Sequence, residues 1–232
     1  YLTEQGITIL NDVTLNSVSN DGNKPVITAN DQNYTFDAVL YATGRKPNTA
    51  NIGLENTDIT TNERGAIVVN DTCESSVPGV YAVGDVNGGP QFTYISLDDF
   101  RIVFGALTGN GQYTLKDRKN IPYTTFLTPP LARVGLTEED AINKGYTVKT
   151  KEMLVATMPR AHVNDYLKGA FKIVVNADND LILGATLYSQ GAEELINLIK
   201  MAMDNNIPYT YFKNQIFTHP TMAENLNDLC NF

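Results

Sequence analysis

Apolar positions come in short bursts over the first part of the chain and in denser, periodic runs over the last part. "ITIL" and "VTLNSV" are followed by a polar turn at "NDGNKP". Then come "VITA", a second polar turn at "NDQN" and the apolar run "DAVLYATG". Each burst is of strand length and is bounded by Asn, Asp, Gly or Pro, which predicts a series of short strands up to residue 44. A loop, "RKPNTANIGLENTDI", leads to two further strand-like bursts, "GAIVV" and "GVYAVGD", and to helical spacing from about Ser96 to Leu107. "TGNGQYTLKDRKN" has the glycines, asparagine and charges of a linker.

Beyond residue 120 the pattern changes. "ARVGL" predicts a short strand. Thr137, with Asp140 three residues on and Gly145 as a stop, predicts a short capped helix. "TVKTKEMLV" predicts a strand, and two β-rich runs around Asn176–Asp180 predict a hairpin. Ala192, Leu195, Ile196, Ile199, Ala202 and Met203 share one helical face, so a helix is expected over 191–205, with Pro208 preventing its extension. No internal repeat or low-complexity tract is present. Three segments follow from this reading: 1–44, 45–120 and 121–232.

Composition narrows the classes. The chain is 42% hydrophobic and 19% charged, as expected of a globular protein. No apolar run approaches the roughly 18–20 residues that cross a bilayer, so no membrane association is expected. A net charge of −9, from acids scattered rather than clustered, argues against nucleic-acid binding. Cys73 and Cys230 stand far apart and form neither a disulfide framework nor a zinc pattern. Metal is therefore not expected, and the sparse cysteine fits a reducing, cytoplasmic setting. The chain opens at Tyr1 without an initiator Met or a secretory pattern and reads as part of something longer.

Three stretches carry candidate chemistry. In "GVYAVGDV" an apolar strand ends at Gly84 and Asp85 follows at once. Ligands of α/β sheets bind beyond the carboxyl ends of strands, where a carboxylate can accept hydrogen bonds from a ribose or ribityl hydroxyl. The same dipeptide is also a common turn. "VLYATGRKPN" ends likewise in small residues, with Gly44 before two cations, and reads equally as a tight crossover. "IFTHPTMAENLNDL", residues 216–229, holds one of only two histidines. Thr221 and Glu224 form the T-x-x-E capping box of a helix over "MAENLNDL", and Pro220 biases His219 toward an extended backbone. A histidine held beside a helix N-terminus, with a carboxylate on one ring nitrogen, is also an oriented general base. The two readings coexist, because Glu224 can cap the helix and still face the imidazole. His162 is expected to be a loop histidine; Arg160 and His162 are weak candidates for lining a substrate entrance. Cys73 and Cys230 are expected bystanders.

In this order, "ATGRKPN" and "SSVPGVYAVGD", continued by "GGPQFTYISLDD", "TPPLARVGLTEEDA" and "HPTMAE", resemble the pyridine nucleotide–disulfide oxidoreductases, the flavoproteins related to glutathione reductase, dihydrolipoamide dehydrogenase and mercuric reductase. The resemblance runs over nearly the whole chain. "QFTYISLDDFRIV", "MPRAHVND" and "INLIKMAMDNNIPY" are most similar to the reactive-chlorine-resistance group, which includes hypothiocyanous acid reductases.

The resemblance implies a mixed α/β and α+β fold: a partial FAD/NAD(P)-binding Rossmann-like region, then a complete α+β dimerisation domain. Residues 1–44 would end the NAD(P) domain, 45–120 the FAD domain, and 121–232 would form the interface of a homodimer. It implies FAD and NADPH or NADH as cofactors of the full-length parent. Gly44, Gly84, Asp85, Gln91, Phe92 and Thr93 would lie at the FAD. His219, paired with Glu224, would exchange a proton with the redox thiols of the other subunit, and the His-Pro bond would often be cis. The substrate implied is a small oxidant of the reactive chlorine or hypothiocyanous acid class; dihydrolipoamide, glutathione disulfide or mercuric ion are the alternatives. The family's two Gly-x-Gly-x-x-Gly loops and its Cys-x4-Cys pair do not occur here. This chain is therefore expected to be the C-terminal half of a longer enzyme. Alone it would bind flavin weakly or not at all and be inactive; the alternative is a non-catalytic dimerisation module.

Overall fold

The computed structural model describes all residues, Tyr1–Phe232, and divides into two compact units, Tyr1–Tyr113 and Thr114–Phe232. The first unit holds an antiparallel sheet of β1 (Leu15–Asp21), β2 (Lys24–Ala29) and β3 (Gln32–Thr35), in that order. β1 and β2 are the predicted "VTLNSV" and "VITA", joined at Gly22, which takes φ +67°. β3 begins inside the stretch read as a polar turn: Asn30 and Asp31 alone make the turn, both at positive φ.

Four predicted strands do not form. "ITIL" and "DAVLYATG" have no ladder, and "GAIVV" and "GVYAVGD" contribute only the isolated bridges at Ile67 and Tyr81. A strand exists by pairing its backbone with a neighbour, and these runs meet none within the chain. Their side chains are accordingly open, with Leu40 89% exposed. The predicted helix is present and longer than expected, as α1 (Thr93–Thr108), closed by Gly109 in the left-handed region.

In the second unit one antiparallel sheet runs β4 (Tyr123–Thr125), β5 (Leu131–Gly135), β8 (Ile182–Tyr188), β7 (Ala170–Asn176) and β6 (Val148–Leu154). The β7–β8 hairpin is the predicted one. Short helices α2 (Glu138–Asn143) and α3 (Pro159–Val163) flank β6 in sequence. The Thr137–Asp140 capping box on α2 forms in both directions, Asp140 N to Thr137 Oγ1 at 3.0 Å and Thr137 N to Asp140 Oδ2 at 3.2 Å.

The sequence pattern of α4 (Ala192–Asp204) is also borne out: Ala192, Leu195, Ile196, Ile199 and Ala202 are buried, and the helix packs on β5 and β8. α5 (Tyr209–Asn214) and α6 (Asn225–Leu229) complete the unit, with α6 against β6 and β7. Phe171, Ile173, Leu187, Ile196, Ile199, Leu226 and Leu229 lie in one core. Phe212 on α5 and Leu226 and Leu229 on α6 reach into this core, and that fixes the ends of the segment carrying His219.

Candidate functional site

The segment from Gln215 to Glu224 links α5 to α6. The His219–Pro220 bond is cis. The capping box anticipated at Thr221 forms: Thr221 N donates to Glu224 Oε1 at 3.1 Å and Glu224 N donates to Thr221 Oγ1 at 3.2 Å. It caps a turn rather than a helix, because α6 starts only at Asn225 and is five residues long. A helix this short, beginning beyond Glu224, has little dipole to bias the imidazole. Glu224 is the group that acts on it. His219 Nδ1 lies 2.7 Å from Glu224 Oε2, so the two carboxylate oxygens divide their work, Oε1 holding the backbone and Oε2 the ring.

The chemistry follows from donor and acceptor roles. An ionised carboxylate only accepts, so Nδ1 carries the hydrogen and Nε2 the lone pair. Burial alone would raise the Glu224 carboxyl; the hydrogen bonds from His219 and Thr221 and the charge of the ring outweigh it and hold the carboxyl below its usual 4.5. Glu224 is thus ionised at neutral pH. Its side chain is 19% exposed against 69% for His219, which leaves a supported imidazole open to an incoming group. This is the geometry of an oriented acid–base.

His162 sits in α3, and its Nε2 lies 2.8 Å from the Ala156 carbonyl. A carbonyl only accepts, so that nitrogen is spent as a donor; His162 stands on a short helix and not in the expected loop. Cys230 is fully buried, and burial pushes its thiol up to about 12 against a smaller opposing pull from Lys151. Cys73 is buried at a turn with φ +63°.

In the first unit, Gly84 and Asp85 open a single 3-10 turn, Gly84–Asn87. Gly84 takes φ +73°, and a Cβ there would stand 2.5 Å from Ser96 Oγ, so only glycine fits without a shift. Its N–H donates to Asp99 Oδ2 at 2.7 Å, and Asn87 Nδ2 donates to the same oxygen at 2.9 Å. Asp99 is fully buried on α1 and holds the turn that presents Asp85. Arg45, next to Gly44, reaches Asp85 Oδ2 at 3.5 Å. Gln91 and Phe92 lead into α1, and Thr93 is its first residue.

The chain thus brings Gly84 and Arg45 to the half-exposed carboxylate of Asp85. Asp85 can accept from hydroxyl groups there, and the nearby start of α1 supplies the positive end of a helix dipole. These residues suit the hydroxylated chain of a dinucleotide; a glycine-rich pyrophosphate loop is not among them. Sequence reasoning missed Arg45 and Asp99. Asp99 had a signal, since Ile95, Asp99 and Ile102 share the buried face of α1.

Known proteins agree. A family profile for the pyridine nucleotide-disulphide oxidoreductases matches residues 1–99, and that of their dimerisation domain matches 121–230. The chain belongs to the pyridine nucleotide-disulphide oxidoreductases. Members of this family depend on FAD and take electrons from NAD(P)H. The probable pyridine nucleotide-disulfide oxidoreductase RclA of Escherichia coli (strain K12) is 44% identical over 228 residues, covering 98% of this chain and 52% of the relative. Mercuric reductase of Staphylococcus aureus is 35% identical over 229 residues, covering 97% of this chain and 42% of the relative. A solved structure of the HOCl-induced flavoprotein disulfide reductase RclA from Escherichia coli superposes with a TM-score of 0.93 at 43% identity, covering 99% of this chain and 53% of that one. The chain spans about half the length of these relatives. No helix is long and apolar enough to cross a membrane.

Proposed function

We propose that this chain is the acid–base and dimerisation half of an FAD-dependent NAD(P)H oxidoreductase that reduces a small oxidant of the reactive chlorine or hypothiocyanous acid class. The His219–Glu224 pair carries this reading: a lone pair on Nε2, backed by an ionised carboxylate on Nδ1, and open to solvent. The chemistry supplied by FAD, when bound, would be the relay of reducing equivalents between a nicotinamide and a cysteine pair. His219 takes a proton from an attacking thiol at Nε2 and returns it to the leaving group, while Glu224 stabilises the imidazolium formed in between. The similarity to the HOCl-induced E. coli flavoprotein supports the substrate class.

Asp85 would receive the ribityl hydroxyls of FAD, with Gly44, Gly84, Gln91, Phe92 and Thr93 lining the approach. Residues 1–44 would close the NAD(P) domain, residues 45–120 the FAD domain, and residues 121–232 would join two copies in a cytoplasmic homodimer. Mercuric ion is the weaker substrate, because Cys230 is buried and holds its proton, leaving this end of the chain without a reactive thiolate. The experiment is a panel of oxidants. Hypothiocyanous acid and hypochlorite are compared with mercuric ion, glutathione disulfide and lipoamide on a chimera that joins the preceding half of E. coli RclA to this chain. A preference for either of the last three would overturn the substrate class.

A further inference from the structure

Glu224 orients the ring of His219, but something must also hold the backbone that carries it. No backbone–backbone hydrogen bond involves residues 216–219. Within the segment, Thr221 Oγ1 donates to Thr218 O at 2.8 Å; farther out, on either side, the anchors are two asparagine side chains from the first turn of α6. Asn225 Nδ2 donates to Thr221 O at 3.2 Å and Met222 O at 3.1 Å, downstream of the histidine. Asn227 Nδ2 donates upstream, to Phe212 O at 2.6 Å, Gln215 O at 2.9 Å and Lys213 O at 3.3 Å. Those three carbonyls belong to the C-terminal end of α5, where a helix leaves its last carbonyls without intrahelical partners. One amide, with two hydrogens shared among three acceptors, therefore ends α5 and fixes the point from which the His219 segment departs. Asn225 is 2% exposed and flanked by buried Leu226, so the turn bearing both amides cannot shift without disturbing the core.

We propose that Asn227 is a positioning residue for His219: it clamps the end of α5 to α6 and so sets the distance over which His219 meets Glu224. The proposal deepens the acid–base reading of His219 and rests on it. Neither a propensity scale nor the T-x-x-E pattern points to Asn227; the convergence of three carbonyls on it does.

The test needs no turnover. The chain has two histidines, and their hydrogen-bond partners dictate opposite tautomers, Nδ1–H for His219 and Nε2–H for His162. Nitrogen-edited proton spectra of the labelled 232-residue chain, taken above the imidazole titration range, read both at once. In Asn227→Ala the Nδ1–H pattern of His219 should be lost to a mixture while His162 keeps its own. Glu224→Gln serves as the reference for a ring without its carboxylate. An unchanged His219 pattern in Asn227→Ala overturns the clamp. If that variant does not fold, Asn227→Ser, which keeps one donor, decides the matter by a partial loss or by none. Failure of the underlying base reading shows elsewhere: His219→Ala in the chimera would keep turnover while the Asn227 effect on the tautomer persisted.

Discussion

Protonation is decided one residue at a time in this molecule. Glu224 has its carboxyl held below 4.5 by His219 and Thr221, despite burial. A carboxyl depressed in the folded state contributes stability above its unfolded value, and that contribution is lost as pH falls through the folded value. Acid unfolding of Glu224→Gln should therefore be less steep below pH 4.5 than that of the unaltered chain, as followed by circular dichroism. Cys230 runs the other way: a thiol raised to about 12 carries almost no thiolate near neutrality. It should resist alkylation in the native chain and react only on unfolding, as counted by mass spectrometry. Rapid native labelling at Cys230 would contradict the burial. The pairing of His219 with Glu224 was legible in "HPTMAE" because the capping box and the hydrogen bond to the ring use the same carboxylate. Asn227 was not legible, since an asparagine early in a helix looks like any other polar residue until the carbonyls of α5 converge on it.

Local signals worked at the level of elements wherever the element supplies its own partners. α2 was marked by Thr137 and Asp140, α4 by its apolar stripe, and the β7–β8 hairpin by its turn. Thr137→Ala should cost about 0.5–2 kcal/mol by removing an N-cap, seen as a lowered midpoint in urea. The reading failed where a strand needs a neighbour that the chain does not provide, as in "DAVLYATG" and "GAIVV". It also failed for β4, α3 and α5, which are too short to show a period. Gly169 marks a close approach that the pattern could not reveal. It takes φ +128°, and a Cβ there would lie 1.8 Å from the Tyr188 carbonyl oxygen. Gly169→Ala should destabilise the second unit by more than the roughly 1–3 kcal/mol of backbone strain alone. A melting temperature unchanged by this substitution would contradict the close approach of Gly169 to the Tyr188 carbonyl.

The whole molecule presents a supported base without the groups it would serve. The chain has neither a Gly-x-Gly-x-x-Gly loop nor a Cys-x4-Cys pair, and its second unit matches a dimerisation domain. Light scattering of the purified chain should give a mass near twice 25.5 kDa, and its visible spectrum should show no stoichiometric flavin. A monomer would contradict the proposed homodimer.

The central claim is that His219 moves the proton in thiol–oxidant chemistry. Its most direct test is NAD(P)H-dependent oxidant reduction by the RclA chimera, with His219→Ala compared against the unaltered histidine at equal flavin content. The account predicts a fall in kcat/KM for the oxidant of about 10²–10⁴-fold, the usual contribution of a general acid–base, with flavin reduction by NAD(P)H unchanged. Full turnover in the alanine variant would contradict it.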